Sequence, residues 1–211
     1  ISKTLRWSCL VVALALLASA VHAAPTRAQA LQALEQRAPQ ARLAGVERLG
    51  DVGTMADADR LAALLYDPEE RVRTTTAAAM WKIWGRSGDK AIDALYQQGM
   101  QHMEAAQLRE ALATFSTIVQ KKPAFAEGWN KRATIYYLLG ELDLSLKDCD
   151  EVMKRNPNHF GALSGYGQIY LQRAEPERAL TYFERALKVN PNLTGLASTV
   201  KLLRQQLEAK Q

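Results

Sequence analysis

The sequence predicts an all-α chain: a short solenoid of stacked helix pairs, with a smaller helical segment in front of it. Three observations carry this. Prolines recur at Pro123, Pro157 and Pro191, 34 residues apart each time, and each follows a helix-like stretch: FSTIVQKKP, CDEVMKRNP and FERALKVNP. Small and aromatic residues recur at constant offsets from those prolines. Alanine and leucine abound while glycine and proline number 12 and 7 in 211 residues, a balance that favours helices.

In chain order, residues 1–24 read ISKTLRWSCLVVALALLASAVHAA. Lys3 and Arg6 precede an apolar run from Cys9 to Ala20, and Val21-His22-Ala23 fits a small-x-small cleavage pattern. This is the three-part layout of a secretory leader. The run is shorter than the ~20 residues a spanning helix needs. The expectation is a signal peptide over 1–23 and a periplasmic or secreted bacterial protein with no membrane span after cleavage. An uncleaved anchor helix is the alternative. Losing Lys3 and Arg6 lowers the net charge from +5 to +3. Lys and Arg are interleaved with Asp and Glu, so no nucleic-acid surface is expected. Apolar residues at 48% and charged residues at 23% describe a globular chain rather than a disordered one. With Cys9 in the leader, Cys149 has no partner for an internal disulfide.

Residues 26–88 carry a second period. Ala41-Arg42 followed by LAGVERLGDVG aligns with Val72-Arg73 followed by TTTAAAMWKIWG, at an offset of 31 residues. ADADRLAALLYD between them predicts a helix, and Asp67-Pro68 reads as the cap and first turn of the next one. Trp81 and Trp84 stand where the first copy has Gly50 and Gly53. The segment resembles the short HEAT-like repeats related to those of phycobilisome lyases, over at most one and a half repeats. It is expected to pack on the solenoid, with Met80, Trp81, Ile83 and Trp84 meeting the first repeat. Ser87-Gly88-Asp89 marks the boundary.

With each proline at position thirty-two, the repeats are 92–125, 126–159 and 160–193. Position four is Leu95, Trp129 and Leu163; position eight is Gly99, Ala133 and Gly167; position eleven is His102, Tyr136 and Tyr170. Position twenty is Ala111, Ser145 and Ala179; position twenty-four is Phe115, Cys149 and Phe183; position twenty-seven is Ile118, Val152 and Ala186. Small residues at eight and twenty let paired helices approach, aromatics fill the space between pairs, and proline ends the second helix. The pattern is identified as that of tetratricopeptide repeats, with His102 and Cys149 as departures. The chain from Trp81 onward, through FAEGWNKRATIYYLLGELDLSLKDCD and HFGALSGYGQIYL, also resembles a group of exported bacterial tetratricopeptide-repeat proteins, which implies fold and export but names no ligand. Residues 194–211 suit a capping helix over the last repeat.

The resemblance implies a concave groove lined by the first helix of each repeat. Its outward positions are Asp93, Tyr96, Met100 and Met103; Glu127, Asn130, Thr134 and Tyr137; and Gly161, Ser164, Gln168 and Leu171. The expected partner-binding residues are Tyr96, Met100, Met103, Asn130, Thr134, Tyr137 and Gln168, facing a protein or peptide. Tyr and Met suit adaptable contacts, and the amides of Asn130 and Gln168 suit the backbone of an extended peptide. The alternative for Tyr96 and Met100 is packing against the N-terminal segment. Chaperone adaptors of this family hold a C-terminal carboxylate with Lys, Asn and Arg. Tyr96, Met100, Gly161 and Gly165 stand at four of those five places, so such tails are not the expected ligand.

No catalytic motif is present: no phosphate loop, HExxH or paired CxxC. His102 reads as a core residue, His159 as a turn residue, and Cys149 as a buried, inert thiol. The expectation is a monomer without cofactor or metal. It acts as an interaction scaffold, or as a structural subunit of an envelope complex that uses residues 26–88. A lyase by the HEAT-like analogy is the enzymatic alternative.

Overall fold

A computed structural model describes residues 24–209, which form eleven α-helices and two 3-10 turns. The leader expected over 1–23 lies outside the described residues. The solenoid consists of α5 (Lys90–Glu104) with α6 (Leu108–Lys121), α7 (Ala126–Leu138) with α8 (Leu142–Arg155), α9 (Phe160–Gln172) with α10 (Pro176–Val189), and the cap α11 (Thr194–Glu208). Each second helix stops two residues before its proline, since that ring cannot follow in helical geometry. Within each pair the chain reverses through a left-handed residue, at Ala106, Gly140 and Ala174, again 34 apart. Asp89 opens the solenoid by accepting the amides of Ala91 and Ile92 on its side chain.

The repeat signature packs as its residue types require. Phe115 and Phe183 are fully buried. A Cβ added at Gly99 would lie 2.6 Å from the Phe115 ring, and one at Gly167 would overlap Phe183. Each buried phenyl contributes about 1.5–3 kcal/mol, available only because the facing helix has no side chain there. In the second repeat Cys149 replaces phenylalanine, and Ser145 donates to the Ala133 carbonyl at 2.8 Å. Two signature residues are less buried than their positions suggest. Trp129 is half-buried between the guanidinium groups of Arg132 and Arg155, 5.0 and 4.9 Å from its ring. His102 is half-buried and pairs with Gln107.

The N-terminal segment forms two helix pairs: α1 (Arg27–Ala33) with α2 (Pro39–Val52), and α3 (Ala58–Ala63), flanked by 3-10 turns, with α4 (Glu70–Trp84). Val46, Leu49, Leu61, Leu65, Val72 and Ile83 make its core. The 31-residue period is visible in the side chains. Arg42 binds the carbonyls of Gln36 and Arg37, and Arg73 binds those of Asp67 and Pro68. Each arginine then reaches one layer on. Arg42 clasps buried Asp67 at 2.6 and 2.8 Å, whereas Arg73 reaches Asn192 in the solenoid at 2.8 Å. Asp67-Pro68 does not cap α4 as expected. The helix begins at Glu70, and Asp67, committed to Arg42, accepts the Glu69 amide in a turn instead.

The segment does pack on the solenoid, but not chiefly on its first repeat. Met80 and Ile83 belong to the segment's own core. Trp84 stacks on His159 at 4.3 Å and lies 4.9 Å from Phe160, while Trp81 meets both rings edge-on. Asn192 donates to the Leu65 carbonyl, Tyr66 to that of Lys188, and Val189 and Leu193 join the segment's core. Helix α4 therefore runs beside the loops that join successive repeats, where Phe160 offers an apolar face that the sequence pattern does not reveal.

Candidate functional site

Helices α7 and α9 present their inner faces to one groove between the second and third repeats. A cavity of about 170 Å³ there is lined by Asn130, Thr134, Tyr137, Gly161, Gly165 and Gln168, with Ser145 and Cys149 beneath. Small residues on α9 keep it open: a Cβ on Gly165 would touch the Cys149 sulfur at 3.8 Å. Thr134 and Gln168 are exposed and Tyr137 is half-buried. The Thr134 hydroxyl donates to the Asn130 carbonyl.

Four of the seven expected groove residues thus meet in one place. The other three do not. Tyr96 is buried, edge-on to Phe115 and Phe125, because Gly85 at the end of α4 closes over it. Met100 and Met103 are half-buried against the first-repeat core. Asn130 lines the cavity, yet it is 7% exposed and its side-chain nitrogen bonds both Glu127 oxygens, at 3.2 and 3.1 Å, while its backbone carbonyl takes Thr134. Of its side chain, the Oδ1 oxygen remains for a ligand.

Glu127 was expected to face outward and is instead the hub of a buried polar cluster. His159 Nε2 lies 2.8 Å from its carboxylate, Lys131 Nζ 3.1 Å and the Tyr96 hydroxyl 3.5 Å. His159 Nδ1 accepts the Ala162 amide as the cap of α9, which leaves Nε2 to carry a proton toward Glu127. Burial by itself would raise the Glu127 pKa, but His159 and Lys131 outweigh it and hold the group below the usual carboxylate range. Burial and the Glu127 charge push the Tyr96 phenol up. His159 is therefore no ordinary turn residue: it is fully buried and joins α7, α9 and Trp84. The spacing of Glu127 and His159, 32 residues apart across one repeat, is the only hint of this in the sequence.

Two features bear on chemistry at the groove. Burial, then Asp148 and Asp150, push the Cys149 thiol up to about 12, so it stays protonated and unreactive. Trp81 overhangs the rim of the groove: its ring blocks any side chain at Gly161, and Lys131 lies 5.5 Å above it. Among the described residues no three His, Cys, Asp or Glu side chains converge as metal ligands, and no helix is long and apolar enough to cross a membrane.

Comparison with known proteins bears on the three repeats. Tetratricopeptide-repeat family models match residues 93–123, 126–159 and 160–193. A TPR repeat-containing protein of Rhizobium etli is 32% identical over 124 residues, 59% of this chain and 61% of its own length. Hsp70-Hsp90 organizing protein 1 of Glycine max is 22% identical over 118 residues, 56% of this chain but only 21% of that protein. The chain therefore spans less than two thirds of these relatives. Among solved structures, the first TPR of Spaghetti (RPAP3), bound to the HSP90 peptide SRMEEVD, superposes with a TM-score of 0.53 at 20% identity, covering 56% of this chain and 93% of that one. The TPR domain of Sgt2 from Aspergillus fumigatus gives 0.53 at 17% identity, covering 57% and 81%.

Proposed function

We propose that this tetratricopeptide-repeat protein is a non-enzymatic scaffold of the bacterial cell envelope that holds an extended peptide segment in the groove between its second and third repeats. The observation that supports this reading is the convergence of Thr134, Tyr137, Gln168 and the Asn130 side chain, with its free Oδ1, on a cavity floored by small residues. Exposed hydroxyl and amide groups can pair with a peptide backbone, and Tyr137 can seat one apolar side chain. The likeness to a repeat domain solved with a peptide supports a peptide as the ligand class. A chaperone tail is not the ligand we propose. The places of the family's carboxylate clamp hold buried Tyr96, Met100 and two glycines.

The test uses a photo-crosslinking residue at Gln168 and maps the partner segment attached to it. Tyr137→Ala should abolish that crosslink while lowering stability by less than about 1 kcal/mol. If Tyr137→Ala keeps the crosslink, and changes at exposed positions such as Glu47→Arg and Arg71→Glu remove the partner, residues 26–88 form the contact surface instead. Export rests on the leader pattern alone. Sequencing of the protein from a periplasmic fraction should begin near Ala24, and intact Ile1 in cytosol would overturn it.

A further inference from the structure

A second cavity, of about 290 Å³, lies where the N-terminal segment meets the loops joining the repeats, and it shares no lining residue with the groove. Its polar wall carries Arg86, Lys122, Arg155 and Asn156, and no acidic side chain lines it. Its apolar wall includes Met55 and Phe125. Two carboxylates outside the lining bond to lining residues: Asp93 accepts the Ser87 amide, and Glu151 takes Arg155. Arg86 is held by the carbonyls of Gly50 and Gly53, which orient its guanidinium without cancelling its charge.

One further observation points to an anion. Trp84 and Asn156 both line this cavity, are 3% and 6% exposed, and each keeps a buried side-chain N–H group with no acceptor among the described residues. Leaving such a donor unpaired costs stability, and most buried donors are paired. Cations and orphan donors ask for negative charge, while Met55 and Phe125 ask for a hydrophobic body.

We propose that this cavity binds a small monocarboxylate with an aromatic or branched apolar part. Lys122 and Arg86 serve its carboxylate, which draws the adjoining Trp84 and Asn156 N–H groups toward it, and Met55 and Phe125 take its body. Inorganic phosphate meets the charge but leaves the apolar wall bare. A neutral amide meets the apolar wall but leaves the charge.

The test titrates the ¹⁵N-labelled protein with 3-phenylpropionate, 3-phenylpropionamide and inorganic phosphate, following the Trp84 indole N–H resonance, which is assigned by its loss in Trp84→Phe. The acid should shift that resonance saturably, the amide should bind at least about tenfold more weakly, and phosphate should not saturate it. Lys122 is half-buried and its side chain holds no partner among the described residues, so Lys122→Gln keeps the fold. It should weaken the acid about tenfold, and Lys122→Arg should restore binding. The proposal fails if acid and amide bind alike, if phosphate saturates the site as well as the acid does, if Lys122→Gln leaves affinity unchanged, or if the acid produces no saturable shift.

Discussion

The two helical regions bring their layers together by different chemistry. In the solenoid, contact is chiefly apolar and local in pattern: Phe115 sits on Gly99 and Phe183 on Gly167, within one repeat, with the Arg132–Asp148 clasp added between α7 and α8. In the N-terminal segment the layers are joined by arginines clasping nearly buried aspartates, Arg27 to Asp57 and Arg42 to Asp67. The dock between the regions uses both means. Arg73 repeats the reach of Arg42 but finds Asn192, and tryptophans that replace the glycines of the first copy fill the gap to His159 and Phe160. In effect the edge of the solenoid takes the place of a third helix pair.

The sharpest break in this comparison is a cavity in each region. Phe183→Ala should cost about 4 kcal/mol, as the ring is fully buried and its bed at Gly167 cannot collapse far. One cooperative loss of stability, read by denaturant melts, is the expected form. Trp84→Ala should cost about 3 kcal/mol and act differently, by uncoupling the segment from the solenoid so that two transitions separate. A single unsplit transition would show that Asn192, Tyr66 and the shared core hold the dock without the indole.

Acid acts with opposite sign on the arginine-clasped aspartates of the two regions. Arg42 lowers the Asp67 pKa; for Asp57, burial acts upward but Arg27 and Thr54 prevail, and that value too is lowered. A lowered folded-state value means stability present above the unfolded carboxylate value, about 4, and lost as pH falls through the folded one. Glu127 at the dock behaves the same way. Asp148 in the solenoid is opposite. Burial raises it beyond what Arg132 restores, so its contribution is lost as pH rises and is recovered on acidification. Titrating downward, tryptophan fluorescence in a Trp129→Phe background should therefore report release of Trp84 before far-ultraviolet circular dichroism reports loss of solenoid helix. Coincident curves would mean that the polar and apolar regions share one acid response.

The smallest effect lies in the turns. Ala106 and Ala174 hold φ of 56° and 57°, where the middle repeat has Gly140 at 80°. Ala174→Gly should relieve this strain and raise stability by about 0.5–1 kcal/mol, read as a higher Tm. No gain would mean that the alanine methyl contributes as much as its backbone costs.

The repeats were legible because their code is periodic and local. Prolines, small residues and aromatics 34 apart specify helix ends, close approach and filling within the reach of one helix pair, and Ser87-Gly88-Asp89 marks its start by turn and capping chemistry. The same code placed Thr134, Tyr137 and Gln168 on the inner face, because helical periodicity decides which way a residue points. It did not say what else would lie against that face. Tyr96 is buried because Gly85, at the close of α4, covers it, and Glu127 is buried as a carboxylate because His159, one repeat away, donates a hydrogen bond to it and Trp84 stacks on that imidazole. Those contacts join residues 11, 32 and 75 positions apart with no shared period. Local rules determine each element and its face, but the meeting of two separately patterned surfaces depends on shape and charge matched in three dimensions, and only the tertiary structure decided that.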